Sequence, residues 1–121
     1  MARGLPVDGR RGERDAVRYL KQHGYRVLAR NFTCPVGEVD VIALREGTLS
    51  FIEVKARSGA DALPQEAVNS AKQRKIGRVA EYFLRTRRPT CRQFRFDVIA
   101  INYLDAGQHR LEHFQDAFEP A

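Results

Sequence analysis

A chain of 121 residues, 43% apolar and 30% charged, has the make-up of one globular domain that can bury a core without disulfide or metal staples. Its formal charge of +6 and pI near 9.8 point to a polyanionic partner, nucleic acid or an anionic membrane surface. No run of apolar residues is long enough for a spanning helix, and residues 1–11 lack the apolar stretch of a secretory signal, so the cytoplasm is the expected compartment. Cys34 and Cys91 stand far apart without a CxxC neighbour, which speaks against a zinc ribbon or a redox dithiol and for small, partly buried apolar residues.

Residues 1–11, with Gly4, Pro6 and Gly9 among arginines, predict a flexible basic arm, and residues 12–121 a single domain. A first helix is expected from Gly12 to His23, stopped by Gly24. Ala16, Val17 and Leu20 form its inward stripe, and Glu13 leads that stripe by the i, i+3/i+4, i+7 rule. An acid there suits the positive end of the helix dipole, or else points toward a site on the sheet. Tyr25 to Phe32 reads as a strand, with Val27, Ala29 and Asn31 on one side and Leu28, Arg30 and Phe32 on the other.

The next stretch is the informative one. Gly37–Leu44 and Leu49–Lys55 are two β-rich arms joined through Glu46-Gly47, the pattern of an antiparallel hairpin. Closed by a two- or four-residue loop, it sets Leu44 opposite Leu49, Ile42 opposite Phe51, Asp40 opposite Glu53 and Glu38 opposite Lys55. All eight share one face, with Val39, Val41, Ile52 and Val54 on the other. Two facing carboxylates about 5 Å apart repel by roughly 3 kcal/mol at an effective dielectric of about 20. Such a pair calls for a raised pKa, a neighbouring cation such as Lys55, or a metal ion. Oxygen-only ligands suit Mg²⁺ or Mn²⁺ and suit zinc poorly.

Ala56 to Leu63 is small, polar and rich in turn residues, and predicts a loop beside the charged end of the sheet. A second helix is expected from Pro64 near its first position to about Arg85, with Val68, Ile76, Val79 or Ala80, and Phe83 inward. Lys72 falls between Val68 and Ile76 and so looks toward the sheet, with Gln73 beside it competing for the same role. Arg74, Lys75 and Arg78 begin an outer face that continues through Arg85 to Arg95, nine basic residues from Lys72 onward against the single acid Glu81. An ordinary solvated helix mixes its signs, so this stretch predicts a phosphate-contacting surface. Aromatic residues are not interleaved on it, which speaks against base stacking. Arg95 to Leu104 and His109 to Phe114 read as two strands joined by a turn. Phe96, Val98 and Ala100 lie on one face of the first and Asp97, Ile99 and Ile101 on the other, with Asp97 an anchor for Arg95 or Arg57. His109 to His113 spells HxxEH, but zinc-protease chemistry needs those residues on a helix with a further ligand, so that reading is set aside.

Asp40 followed by Glu53-Val54-Lys55 resembles the D…(D/E)xK signature of the PD-(D/E)xK nuclease superfamily. Gly12-Glu13, Gly24-Tyr25, Arg30-Asn31, Gly37-Glu38-Val39-Asp40, Phe51 to Arg57, Ala67-Val68 followed by Lys72, and Arg95-Phe96-Asp97 together resemble the YraN-like family of small bacterial proteins, similar to archaeal Holliday-junction resolvases. Val39 departs from the proline that precedes the aspartate in the superfamily's name. The resemblance implies a restriction-endonuclease-like fold and an acidic partner for the site in the first helix, here Glu13; it raises a homodimer, as resolvases form, as one oligomeric state, which the sequence does not decide.

The expected architecture is α/β (α+β), a mixed central sheet flanked by helices in the order α-β-β-β-α-β-β. The expected function is a metal-dependent nuclease that hydrolyses DNA phosphodiester bonds by metal-activated water, on structure-specific, resolvase-like substrates. Asp40 and Glu53 would ligate Mg²⁺ or Mn²⁺, with Glu38 and Glu13 as secondary acids, and Lys55 would stabilise developing charge or orient the water. Lys72, Gln73, Arg74, Lys75, Arg78 and Arg57 would contact the nucleic acid. A non-catalytic nucleic-acid-binding protein that keeps the nuclease fold is the alternative, and a basic protein–protein adaptor a third reading.

Overall fold

The apolar spacings resolve, in a computed structural model, into one mixed sheet with a helix on each face, described for residues 5–6, 9–58 and 69–120. The elements are β1 (Leu5–Pro6), α1 (Gly9–Gln22), β2 (Arg26–Cys34), β3 (Gly37–Arg45), β4 (Thr48–Ser58), α2 (Ser70–Arg87), β5 (Gln93–Tyr103) and β6 (His109–Phe118). Apart from the two-residue β1, this is the order expected from the sequence. The sheet runs β2-β3-β4-β5-β6, antiparallel except for the β4–β5 pair, which is parallel because α2 carries the chain back across the sheet.

Alternation along the strands sorts the core into two clusters. Val41, Ala43, Ile52, Ile99 and Ile101 meet Ala16, Val17 and Leu20 of α1 on one face. On the other, Ile42, Leu49, Phe51, Phe96 and Val98 meet Ile76, Val79, Ala80 and Phe83 of α2. The β3–β4 hairpin closes through Glu46 and Gly47, both with positive φ (51° and 81°), the condition of a two-residue type I′ turn. Its register is the expected one near the turn, with Leu44 opposite Leu49 and Ile42 opposite Phe51. Gly12 lets α1 approach the sheet, since a Cβ there would lie 2.8 Å from that of Ala56.

Several expectations are corrected. Helix α1 begins at Gly9, and Leu5 and Pro6 pair with Ser58 and Arg57, so the end of the arm belongs to folded elements. Strand β4 runs on to Ser58, so Ala56 to Ser58 is strand and not loop, its length supported by continuous pairing with β5. Pro64 and Val68, and the rest of the expected loop to Leu63, fall outside the described residues. Helix α2 is capped at its start by Asn69, whose side chain accepts from the Lys72 backbone N–H at 2.9 Å. It ends at Arg87 with Arg88 in the left-handed region. Val39 packs with Phe32, Ile76 and Val79, not with Val41. The strict alternation predicted for β2 is broken twice, by an irregularity between Val27 and Ala29 and by Asn31, whose φ of 51° turns Phe32 and its partner Val39 toward α2.

Candidate active site

Strands β3 and β4 part at the point where the charged residues begin. Their last pair is Val41 with Ile52, and Asp40 and Glu53 come next in line. There Asp40 turns a carboxylate oxygen into the gap, accepting from the backbone N–H of Val54 at 2.8 Å. A side chain thus replaces a ladder bond and closes the end of the hairpin. The expected pairing of Glu38 with Lys55 is therefore absent, because β3 has left β4 and Glu38 faces Thr33 of β2.

Glu53 is 4% exposed, and burial first, then the Asp40 charge, raises its pKa above the ordinary carboxylate value. Lys72 from the first turn of α2 answers it, with Nζ 2.5 Å from Glu53 Oε2. Burial opposes the Lys72 charge, but the bond to Glu53 outweighs it and holds this ammonium above its usual pKa. Lys55, two residues beyond Glu53 on β4, has its pKa lowered by burial and by the neighbouring Lys72. Two carboxylates and two ammonium groups thus share one small site.

Glu13 is buried as the helix phase requires, and it accepts from Asn31 Nδ2 at 2.8 Å with Arg30 at 3.6 Å. Arg30 and Phe32 pair with Val41 and Val39, so Asn31 stands beside Asp40 and carries Glu13 to the margin of the site. Asn31 was not among the expected site residues: the sequence reading gave it a place on one side of a strand and in the Arg30-Asn31 block of the resemblance, without its bond to Glu13. Among the described residues no group of three or more His, Cys, Asp and Glu side chains is arranged to hold a metal ion, so Glu13 and Glu38 do not join Asp40 and Glu53 as a ready-made ligand cluster.

The basic residues divide between the two flanks of α2. Lys72 and Lys75 border a cavity of about 620 Å³ with Glu38, Thr33 and Cys34. Arg74 and Arg78 border another, of about 320 Å³, on the opposite flank. Gln73 is half-buried, its backbone N–H bonded to Asn69. Arg57 donates to the carbonyl of Ala56 and does not reach Asp97. Asp97, fully buried, is bonded instead to Arg95 (3.0 Å), His113 (2.8 Å) and the backbone N–H of Asp116 (2.9 Å). His109 and His113 lie on β6, four residues apart along an extended strand, so the HxxEH pattern does not converge.

A family model described as "Uncharacterised protein family UPF0102" matches residues 12–101. A UPF0102 protein of Syntrophotalea carbinolica is 46% identical over 112 residues, covering 92% of this chain and 90% of the relative. One from Geobacter metallireducens is 45% identical, covering 93% of each, and one from Clostridium perfringens strain 13 is 41% identical, covering 88% and 89%. None of these names carries an activity. No helix among the described residues is long and apolar enough to cross a membrane.

Proposed function

The chain belongs to the uncharacterised UPF0102, or YraN-like, family, and from that premise we propose that it is a metal-dependent nuclease acting on DNA. The observation that carries the reading is the parting of β3 and β4, which leaves Asp40 and a buried Glu53 side by side next to Lys55 and Lys72. A fold has little reason to bury an acid whose charge is raised in cost by burial and by a second acid, unless a cation belongs there. The donor set fits Mg²⁺ or Mn²⁺: Asp40 and Glu53 would offer carboxylate oxygens, and among the described residues no histidine or cysteine joins them in a metal-holding group. Asp40 keeps one oxygen for this purpose while the other holds the Val54 N–H.

Bound between Asp40 and Glu53, such an ion would polarise the phosphate and lower the pKa of the attacking water. The protein's own groups do the rest. Asp40 and Glu53 hold the position, and the Val54 N–H fixes the Asp40 rotamer. Lys72 neutralises Glu53 in the protein as it stands, and with a dication held by Glu53 its ammonium would be free to meet a phosphate oxygen. Lys55 presents its ammonium to the charge that develops on the phosphate. The basic residues on α2 bind the backbone on either side.

Asp40→Asn retains an oxygen for the Val54 N–H and removes the charge. It is expected to fold as the native protein does and to lose Mn²⁺-dependent cutting of branched, flapped and linear DNA, as is Asp40→Ala. Cutting that persists in either variant overturns the assignment. One observation favours the second reading, a nucleic-acid-binding protein without turnover: the Lys72–Glu53 ion pair already supplies Glu53 with a cation. That reading predicts DNA binding indifferent to EDTA and to Glu53→Gln, with no cutting under any metal.

A further inference from the structure

On the flank of α2 away from Lys75, Phe94 of β5 stands 48% exposed, a large aromatic ring left in solvent beside two arginines. The ring is held edge-on by Phe51 and Phe96, with centroids at 6.2 and 5.9 Å, so it is a rigid fixture of the aromatic core and not a loose side chain. It shares its cavity of about 320 Å³ with Arg74 and Arg78, which lie one turn apart on the same side of α2. Glu81 is the one acid on the rim. Neither guanidinium has an ion-pair or hydrogen-bond partner among the described residues. Pro120 closes the cavity by packing against α2, where a Cβ at Gly77 would come within 2.8 Å of it.

A ring face beside two guanidinium forks that have no partner among the described residues offers what a nucleotide needs, a stacking surface for the base and bidentate donors for the phosphate. Only an unpaired base can use it, because in a duplex both faces of each base are already stacked. The cavity also lies within reach of the charged site. Val98 pairs with Glu53, and Phe94 precedes Val98 by four residues, about 13 Å along the strand on the same face of the sheet. Arg78 follows Lys72 by six residues, about 9 Å along α2. A few nucleotides of single strand span that interval.

We propose that the cavity formed by Phe94, Arg74 and Arg78 seats an unpaired nucleotide, so that the substrate carries single-stranded nucleotides close to the bond presented to Asp40 and Glu53. The assignment rests on the nuclease reading above and adds its substrate class. It departs from the expectation that base stacking plays no part: the ring stands on β5, seven residues past the end of α2, and not on the helix face that carries the arginines.

The test is the affinity of a labelled single-stranded oligothymidine and of a labelled blunt duplex in EDTA, where no cutting occurs. Phe94→Ala and Phe94→Leu are expected to weaken single-strand binding on the order of tenfold and to leave the duplex unchanged. Leucine keeps apolar volume without a ring face, and intact duplex binding certifies the fold of each variant. Because the chain has no tryptophan, Phe94→Trp adds a single indole, whose emission should be quenched by the oligothymidine and not by the duplex. Equal weakening of both ligands, no weakening of either, or single-strand binding without quenching overturns the proposal. If Asp40-dependent cutting is present while the Phe94 variants fail in this way, the cavity assignment falls and the nuclease reading stands. If native protein binds neither ligand and cuts nothing, both fall.

Discussion

Glu53 is where the site's opposing forces meet. Burial and the Asp40 charge push it toward its neutral form, and the Lys72 ammonium offsets them only in part. A carboxyl whose pKa is higher folded than unfolded contributes stability below the unfolded value and loses it as pH rises through the folded value. At neutral pH the ionised Glu53 therefore costs the fold stability. In EDTA at neutral pH, Glu53→Gln is expected to melt a few degrees above the native protein. The difference should shrink as the pH is lowered toward the ordinary carboxylate range, about pH 4. Mg²⁺ should raise the melting temperature of the native protein and not of the variant, since a ligand that binds only the folded state stabilises it by mass action. A variant that melts lower at every pH would mean that the Lys72 pair outweighs the burial of Glu53.

Between elements, Asp97 acts as a clamp. It receives Arg95 along β5, His113 and the Asp116 N–H across β6, and through the Tyr19 hydroxyl, 3.1 Å from the other His113 nitrogen, it connects to α1. Burial raises its pKa, but those hydrogen bonds outweigh burial and hold it below the usual value. The stability it supplies is present above the unfolded pKa and is lost as pH falls through the lowered folded one. Asp97→Ala leaves Arg95 and the Asp116 N–H without their acceptor and is expected to cost about 3–5 kcal/mol in urea unfolding at neutral pH, with the deficit narrowing in acid. Its pairing with Arg95 was legible from two residues' separation on one strand. His113 was not, because nothing local says that β6 lies beside β5 in that register. The breaks in β2 were hidden for the same reason: a non-glycine residue at positive φ, such as Asn31, is held by tertiary contacts, here to Glu13. Hairpin register near the turn and helix phase, which depend on period and turn chemistry alone, came through from sequence.

Across the whole molecule the charge is unevenly spread. From Lys72 to Arg95 the sequence carries nine basic residues and one acid, while from Phe96 onward five acids face Arg110. Asp40, Glu53, Lys55 and Lys72 were legible as one site because turn register and helix phase converge on them. Glu38 was misplaced because the strands part before reaching it, and Phe94 was passed over because it stands on β5, off the helix face that carries Arg74 and Arg78. If the basic helix α2 carries the backbone contacts, affinity for a DNA duplex in EDTA should fall steeply with salt, and each lost phosphate contact should reduce the slope of log K against log [salt] by about 0.9. Lys75→Ala, an exposed residue beside Lys72, is expected to lower that slope by about one. Arg110→Ala, exposed on β6 in the acidic segment, removes the same charge and is expected to leave the slope unchanged. Net charge alone would make the two variants equal, so a matched loss would move the nucleic-acid surface away from α2 and onto the protein's diffuse positive field.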